Sequence, residues 1–427
     1  MADTWLEDIV DQHRELESPL SFWKWGALAA VSAVMKDQVW VDRYLYKCYP
    51  NVYIMLHADS GLKKGPPISM AKQLVKQVGN TKMITGRSSI QGILKEMGSA
   101  HTLPGGKVNA KSTVFICSSE LSSSIVEDPV ATKILTDLYD RNYNVGEWQS
   151  LLKMETFNLK DPTITMFTAT NEAMSEDFFD KSAMAGGYFA RTFIIYETKR
   201  NKRNSLAYAL RNPPDYIKSA LYLKELAKLQ GPFQPFSSDT ESDIFPFKKI
   251  KDEDRDVWFS RAGLIYDNWY DAFLDMIDTQ EVKDETGTLN RFGDSVIKVA
   301  MLLSLAYKPE LIITERAMLE AIEICEKLVG NVRKTTMGKQ GMSNTSMLKA
   351  LIIKELLDRD NHQITRTVLS KKLWMHYGDI TELDNIIVSF EAAGILMIKP
   401  MGSQIVYEMP ANQVDELKKH FEGKAKK

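Results

Sequence analysis

The sequence is short of several things, and each shortage excludes a class of function. Its 427 residues include three cysteines, Cys48, Cys117 and Cys325, odd in number and far apart. They cannot form a disulfide framework or a CxxC zinc site, which suits a reducing compartment. The six histidines supply no HExxH or HxH pair, so a metal hydrolase has no ligand set to start from. An excess of one charge is also missing: 54 Lys and Arg stand against 56 Asp and Glu, a formal net charge of −2. A chain this neutral does not bind polyanions by bulk charge, so any nucleic-acid contact must use local basic patches. Long apolar runs are absent too. The most apolar stretch, residues 25–35 (WGALAAVSAVM), is too short to span a bilayer and is flanked by Lys24 and Lys36, so it is expected to be a buried helix. The opening MADTWLEDIVDQHRELE is acidic and amphipathic, unlike the basic-then-apolar layout of a signal peptide. These absences lead us to expect a cytoplasmic protein with no membrane partner.

The residues that are present fall into four blocks. Residues 1–50 read as a helical segment, with Trp5, Ile9 and Val10 at helical spacing and a second helix over 19–35. Residues 51–205 alternate short apolar runs with amphipathic helices. The runs are VYIML (52–56), TVFIC (113–117), TITMFTAT (163–170) and RTFIIY (191–196). Runs that are short and apolar throughout are strands buried on both faces, and helices between them predict a parallel α/β sheet. Residues 206–337 read as a mainly helical lid, with helices over 255–277, 291–305 and 314–332, entered through a Pro- and Ser-rich connector at 231–247. After a second linker at 337–346, residues 345–427 give three helices, an apolar pair of strands joined by KPMGSQ, and a charged tail. That is winged-helix order.

The segment most suggestive of chemistry is PNVYIMLHADSGLKKGPPISMAKQLV, residues 50–75. A buried strand enters a loop containing Ser60, Gly61, Lys63, Lys64 and Gly65, and a helix is expected from about Ile68. Glycines let backbone N–H groups converge on an anion, the helix N-terminus adds a positive dipole, and a lysine can cap outer phosphates. Against GxxxxGK[ST] the segment is degenerate: Ala58 stands at the first glycine, Lys63 at the second and Gly65 at the hydroxyl position, while Lys64 keeps the lysine. An exposed basic turn would have the same composition. Downstream, the run 113–117 ends in Ser118-Ser119-Glu120, which offers a carboxylate for a general base or for a helix N-terminus. The run 163–170 ends at Asn171, which could orient a water or cap the next helix. Gly186-Gly187 delivers Arg191 at the start of a strand, where it could stabilise a neighbouring subunit's phosphate or pair with a carboxylate of its own chain.

Taken in order, PN-x-Y-x-x-L, SG-x-x-KG, a strand ending SEL, YD…W, TATN, GG-x-x-AR, RFGDSVIKVAMLLSLA and TERAMLEAIEI resemble phage- and plasmid-borne P-loop ATPases of the AAA+/RecA-like type, described as replicative helicases or primase-helicases. The resemblance covers roughly residues 15–335. It implies an α/β P-loop NTPase core carrying an N-terminal helical segment, a helical lid and a C-terminal winged helix. It also implies ATP and Mg²⁺ as cofactors and a homo-oligomeric ring, a hexamer, moving on single-stranded or forked DNA beside other replication proteins. Lys64 then maps to the phosphate lysine, Glu120 to the catalytic acid, Asn171 to the sensor and Arg191 to the arginine finger. The departures at Lys63, Gly65 and Ser119 leave the metal ligands unassigned. They keep a second class open: an ATP-bound helicase loader or replication-initiation adaptor with little hydrolysis.

Two loops have the charge to reach a threaded strand. Residues 98–111 carry Lys107 and Lys111, and residues 148–160, read as a hairpin, carry Lys153; a solvated surface loop would look the same. Lys199, Arg200, Lys202 and Arg203 form a third basic cluster, either a solvated turn or a phosphate track. The third helix of the last block opposes DNA binding, since Asp379, Glu382 and Asp384 occupy its N-terminal end.

Overall fold

Each of the apolar runs in the second block becomes a strand of one sheet. The computed structural model describes residues 3–43, 45–86, 88–99, 101–102, 108–109, 111–119, 128–140, 147–152, 155–170, 187–203, 213–238, 248–251, 256–278, 289–337, 344–359, 361–374, 380–401, 404–411 and 413–414. The sheet's strands are Tyr53–His57 (β1), Lys82–Ile84 (β2), Thr113–Ser118 (β3), Thr163–Thr170 (β4) and Thr192–Tyr196 (β5). Their order is β5-β1-β4-β3-β2, and every pairing is parallel. All residues of β1 and β4 are buried, which is why these strands read as unbroken apolar runs rather than alternating ones.

The register shows which residues share a face. Phe167 of β4 lies opposite Ile54 of β1 and Cys117 of β3, and all three look toward helices Leu20–Met35 (α2) and Gly65–Val78 (α3). Met166 lies opposite Tyr53, whose hydroxyl donates to the Leu135 carbonyl of helix Pro129–Asp140 (α4) on the other face. Helices therefore cover both faces of the sheet. The chain opens on helix Trp5–Gln12 (α1); the expected buried helix is α2, and Gly26 lets it approach α3 closely. A methyl group there would meet Met70 Cε at 2.9 Å, the Pro67 carbonyl oxygen at 3.1 Å and Phe167 Cε1 at 3.3 Å.

Several expectations are corrected. The connector at 231–247 is partly sheet: Gly231–Pro232 pairs in parallel with Val39–Asp42, and Ser237–Ser238 pairs with Asp256–Phe259. The helix expected from 255 begins only at Arg261, because Asp256–Phe259 is a strand between Ser237–Ser238 and Lys248–Lys251. Strand β2 was not expected at all. It is short and opens on Lys82, whose ammonium donates to the carbonyls of Glu96 and Ser99 at 2.7 Å each. The hairpin over 148–160 does form, as Glu147–Leu152 against Glu155–Lys160.

The chain divides into two units, Met1–Cys325 and Glu326–Lys427. The first contains the sheet and helix Phe292–Tyr307, so the helical block does not stand apart from the core. Lys298 of that helix donates to the Tyr49 carbonyl, the Asn51 carbonyl and Asn51 Oδ1 at 2.7–2.9 Å, just ahead of β1. The second unit runs helix, strand, helix, helix, strand, strand: Asn344–Leu357, Gln363–Thr365, Arg366–Leu373, Ile380–Ala392, Met397–Met401 and Gln404–Glu408. The strands form an antiparallel sheet with the last strand in the middle. Its own core includes Leu348, Ile352, Leu356, Leu369, Ile387 and Phe390.

Candidate phosphate-binding site

The carboxyl edge of the sheet carries the expected loop. In register, His57 ends β1 opposite Thr170 of β4 on one side and Tyr196 of β5 on the other. The loop 58–64 leaves from this row and returns into α3. Gly61 has a φ of +93° and Lys63 a φ of +52°; the first is natural for glycine, while the second is a conformation that side chains other than glycine, Asn and Asp seldom adopt. Buried Leu62 pins the loop, and Ser18 Oγ donates to the Lys63 carbonyl at 2.7 Å. Ser60, Gly61 and Lys63 are exposed; Lys64 and Gly65 are half-buried.

Helix α3 starts at Gly65, not at Ile68. Pro66 and Pro67 follow in its first turn, where a missing N–H costs no helical bond and the fixed φ favours the start. No side chain caps this end and no acidic residue lies in the first turn. The two prolines have a chemical consequence. Within residues 65–68 only Gly65 and Ile68 carry an N–H, so the helix offers an anion fewer donors than an ordinary helix N-terminus.

Lys64 crosses its own loop. Its ammonium donates to the Ala58 carbonyl at 2.6 Å and the Asp59 carbonyl at 3.1 Å. Burial lowers its pKa, with the Asp59 carboxylate opposing that shift. Behind it, His57 is buried and stacked on Tyr196, ring centroids 5.1 Å apart. Burial, and then the Lys64 charge, bring the His57 pKa down to about 4. Nothing in the sequence pointed to His57, Tyr196 or Ser18, because their relation to the loop depends on register and on a contact 45 residues away along the chain.

The five loop residues named from sequence thus sit together at one strand end. Glu120, Asn171, Lys107 and Lys153 lie outside the described residues. Of the two serines ending the β3 segment, Ser118 is half-buried and Ser119 exposed.

Arg191 is a correction. Its side chain is 6% exposed, Nε reaches Asp140 Oδ1 and Oδ2 at 3.2 and 3.1 Å, Nη2 binds Asp140 Oδ2, and Nη1 donates to the Gly187 carbonyl at 2.8 Å. A guanidinium committed in this way is an internal brace at the amino edge of the sheet, and it is not presented to a neighbouring subunit. A cavity of about 380 Å³ lies beside it, lined by Asn51, Asp140, Arg191, Arg291, Asp294 and Lys298 among others. Its charges are matched internally: Arg291 also binds Asp140, and Tyr46 and Arg43 approach Asp294.

Lys111 is likewise corrected. Its ammonium lies 2.7 Å from Asp37 Oδ2, and the Asp37 side chain is 5% exposed, so the lysine neutralises a buried carboxylate. Cys48 and Cys117 are buried, and burial pushes both thiols up to about 12, which leaves no thiolate for nucleophilic work. Among the described residues no cluster of three or more His, Cys, Asp or Glu is placed to hold a metal ion, and no helix is long and apolar enough to cross a membrane. No protein-family model matches the chain, and no curated protein matches it.

Proposed function

We propose that the chain binds ATP at the loop 58–65 and works as an ATP-driven DNA translocase, a ring-forming replicative helicase of a phage or mobile element. The observation that carries the nucleotide part is the position of that loop in the sheet. In the order β5-β1-β4-β3-β2, the connection from β1 runs on toward β2 while that from β4 runs back toward β5. The carboxyl ends of β1 and β4 therefore form the crevice where open parallel sheets take their ligands. The Gly61 turn, the Lys64 ammonium and the start of α3 lie at this crevice. Lys64 would exchange its carbonyl partners for phosphate oxygens, and Glu120 would take the general-base role. The motor and ring parts of the proposal rest on the sequence resemblance. The helix–strand–helix–helix–strand–strand order of the second unit supports reading it as a winged helix. Its third helix commits Asp384 to Arg366 at 2.7 Å and carries Glu382 in its first turn, so we assign it to protein contact.

The residues suit the nucleotide better than the metal. The first turn of α3, Gly65-Pro66-Pro67, has no hydroxyl to ligate Mg²⁺. The same observation favours the second reading, an adaptor in which ATP controls assembly with little hydrolysis. Equilibrium binding of ATP and its steady-state hydrolysis, each with and without single-stranded DNA, tests both. A translocase shows strand-stimulated turnover, and an adaptor binds ATP with turnover that the strand leaves unchanged. Lys64→Ala is expected to abolish ATP binding while the fold persists; wild-type protein that fails to bind ATP ends both readings.

A further inference from the structure

The start of α3 offers an anion fewer N–H donors than an ordinary helix N-terminus, and the chain places a guanidinium beside the loop that precedes it. A methyl group built on Gly61 would lie 3.8 Å from Nη2 of Arg200, so the open side of that glycine faces the arginine. The backbone on either side of Arg200 is fixed. Glu197 N–H donates to the His57 carbonyl at 3.1 Å, and Glu197 Oε1 accepts from Ser21 Oγ at 2.6 Å. Asn201 is held more firmly still. Its N–H donates to the Glu17 carbonyl at 3.1 Å and its side-chain amide donates to the Arg14 and Leu16 carbonyls at 2.7 and 3.0 Å. Lys202 adds an ion pair to Glu15 at 2.5 Å. The guanidinium between these anchors is held loosely: it is 49% exposed and stands 3.6 Å from a Glu17 carboxylate that is itself 20% exposed. A fixed backbone and a half-solvated cation above a glycine are what a preorganised anion contact requires.

We infer that Arg200 is a phosphate-binding residue supplied by the same chain, leaving Glu17 for the outer phosphates of the nucleotide when it binds. The inference rests on the reading of loop 58–65 as the ATP site. It gives the basic cluster 199–203 a role: Lys202 and Asn201 position the segment and Arg200 makes the contact. Guanidinium suits this because its planar fork can take two phosphate oxygens at once. It also fills the place left by Pro66 and Pro67, which remove two N–H donors from the helix start.

The test uses the full chain and titrations of a fluorescent ATP analogue at fixed salt. Arg200→Ala is expected to weaken ATP binding about 10- to 100-fold, the worth of a charge-assisted contact. Arg200→Lys should recover part of the loss, and Glu17→Gln should leave ATP binding equal or tighter because the competing carboxylate is gone. If the arginine served only its ion pair with Glu17, the Glu17→Gln and Arg200→Ala losses would match, and that result overturns the inference. So does wild-type ATP affinity in Arg200→Ala. Should Arg200→Ala unfold, Arg200→Gln takes its place, with the unfolding midpoint of each variant recorded alongside. Lys64→Ala separates the two levels. Loss of ATP binding there with none in Arg200→Ala leaves the site standing and removes Arg200 from it, whereas wild type that binds no ATP removes the site itself.

Discussion

At the scale of single residues, two side chains reward measurement. Arg191 is buried and joins a partly exposed Asp140 inside the first unit, so Arg191→Ala is expected to cost about 2 kcal/mol of unfolding free energy in denaturant titration, less than the roughly 3–5 kcal/mol of a fully buried pair. Asp140 keeps Arg291 and is itself 37% exposed, which holds the cost below that of a fully buried pair. Mixing Arg191→Ala with Lys64→Ala protein should give no ratio-dependent recovery of ATPase activity, since an internal brace cannot act across a subunit border. His57 sets a pH dependence. Its pKa is about 4 in the folded chain against an ordinary 6.5, so below pH 6.5 the unfolded chain takes up a proton that the folded chain refuses. Stability is greatest above pH 6.5 and falls as pH drops toward 4, by about 2 kcal/mol at pH 5 from this group. His13, buried against Trp23, shifts in the same direction. Melting curves at pH 7 and pH 5 check it: His57→Phe should lose less between the two than wild type does.

At the scale of elements, the decisive contact is α2 against α3. Alanine is worth about 1 kcal/mol over glycine inside an exposed helix. Gly26→Ala should nonetheless destabilise by roughly 1–2 kcal/mol, because the added methyl meets a backbone oxygen at 3.1 Å, which yields less readily than the end of a side chain. That oxygen belongs to Pro67 in the first turn of α3, so ATP affinity should fall together with stability. Gly26→Ala with an unchanged unfolding midpoint would show that the two helices can separate freely. Elements were legible in the sequence to very different degrees. The strands β1, β3, β4 and β5 announced themselves because both faces are covered and nearly every position is apolar or a small hydroxyl residue, His57 at the end of β1 being the exception. Strand β2 gave no signal, being three residues long and opening on a lysine whose charge is satisfied by the end of a neighbouring helix. Gly231–Pro232 looked like a connector because its partner strand, Val39–Asp42, is nearly 200 residues away.

At the scale of the molecule, the division at residue 325 separates two cores. The second closes over Leu348, Ile352, Leu369, Ile387 and Phe390 and has its own three-stranded sheet. A fragment of residues 344–427 is therefore expected to unfold cooperatively by itself, with a sigmoidal melt in far-UV circular dichroism. A broad, non-cooperative melt would mean that this core depends on the first unit. The helical block before it behaves otherwise. Lys298 sits in a cage of Tyr49 and Asn51 oxygens with its ammonium 4.3 Å from the centre of the Tyr139 ring, which ties Phe292–Tyr307 to the start of β1. Nothing in the local sequence marks that lysine as internal.

The local pattern of the chain was enough to establish an α/β core, its principal strands and the loop that leaves β1, since burial on two faces and the chemistry of a strand–loop–helix are written in neighbouring residues. Which charges are free to act was decided only by folding. Arg191, Lys111 and Arg200 are alike as isolated cations. The first meets Asp140, the second meets Asp37, and the third is set down beside Gly61 with a loose carboxylate for company. Those partners lie 51, 74 and 139 residues away along the chain. Charge pairing acts through space, so only the tertiary structure could sort braces from contacts.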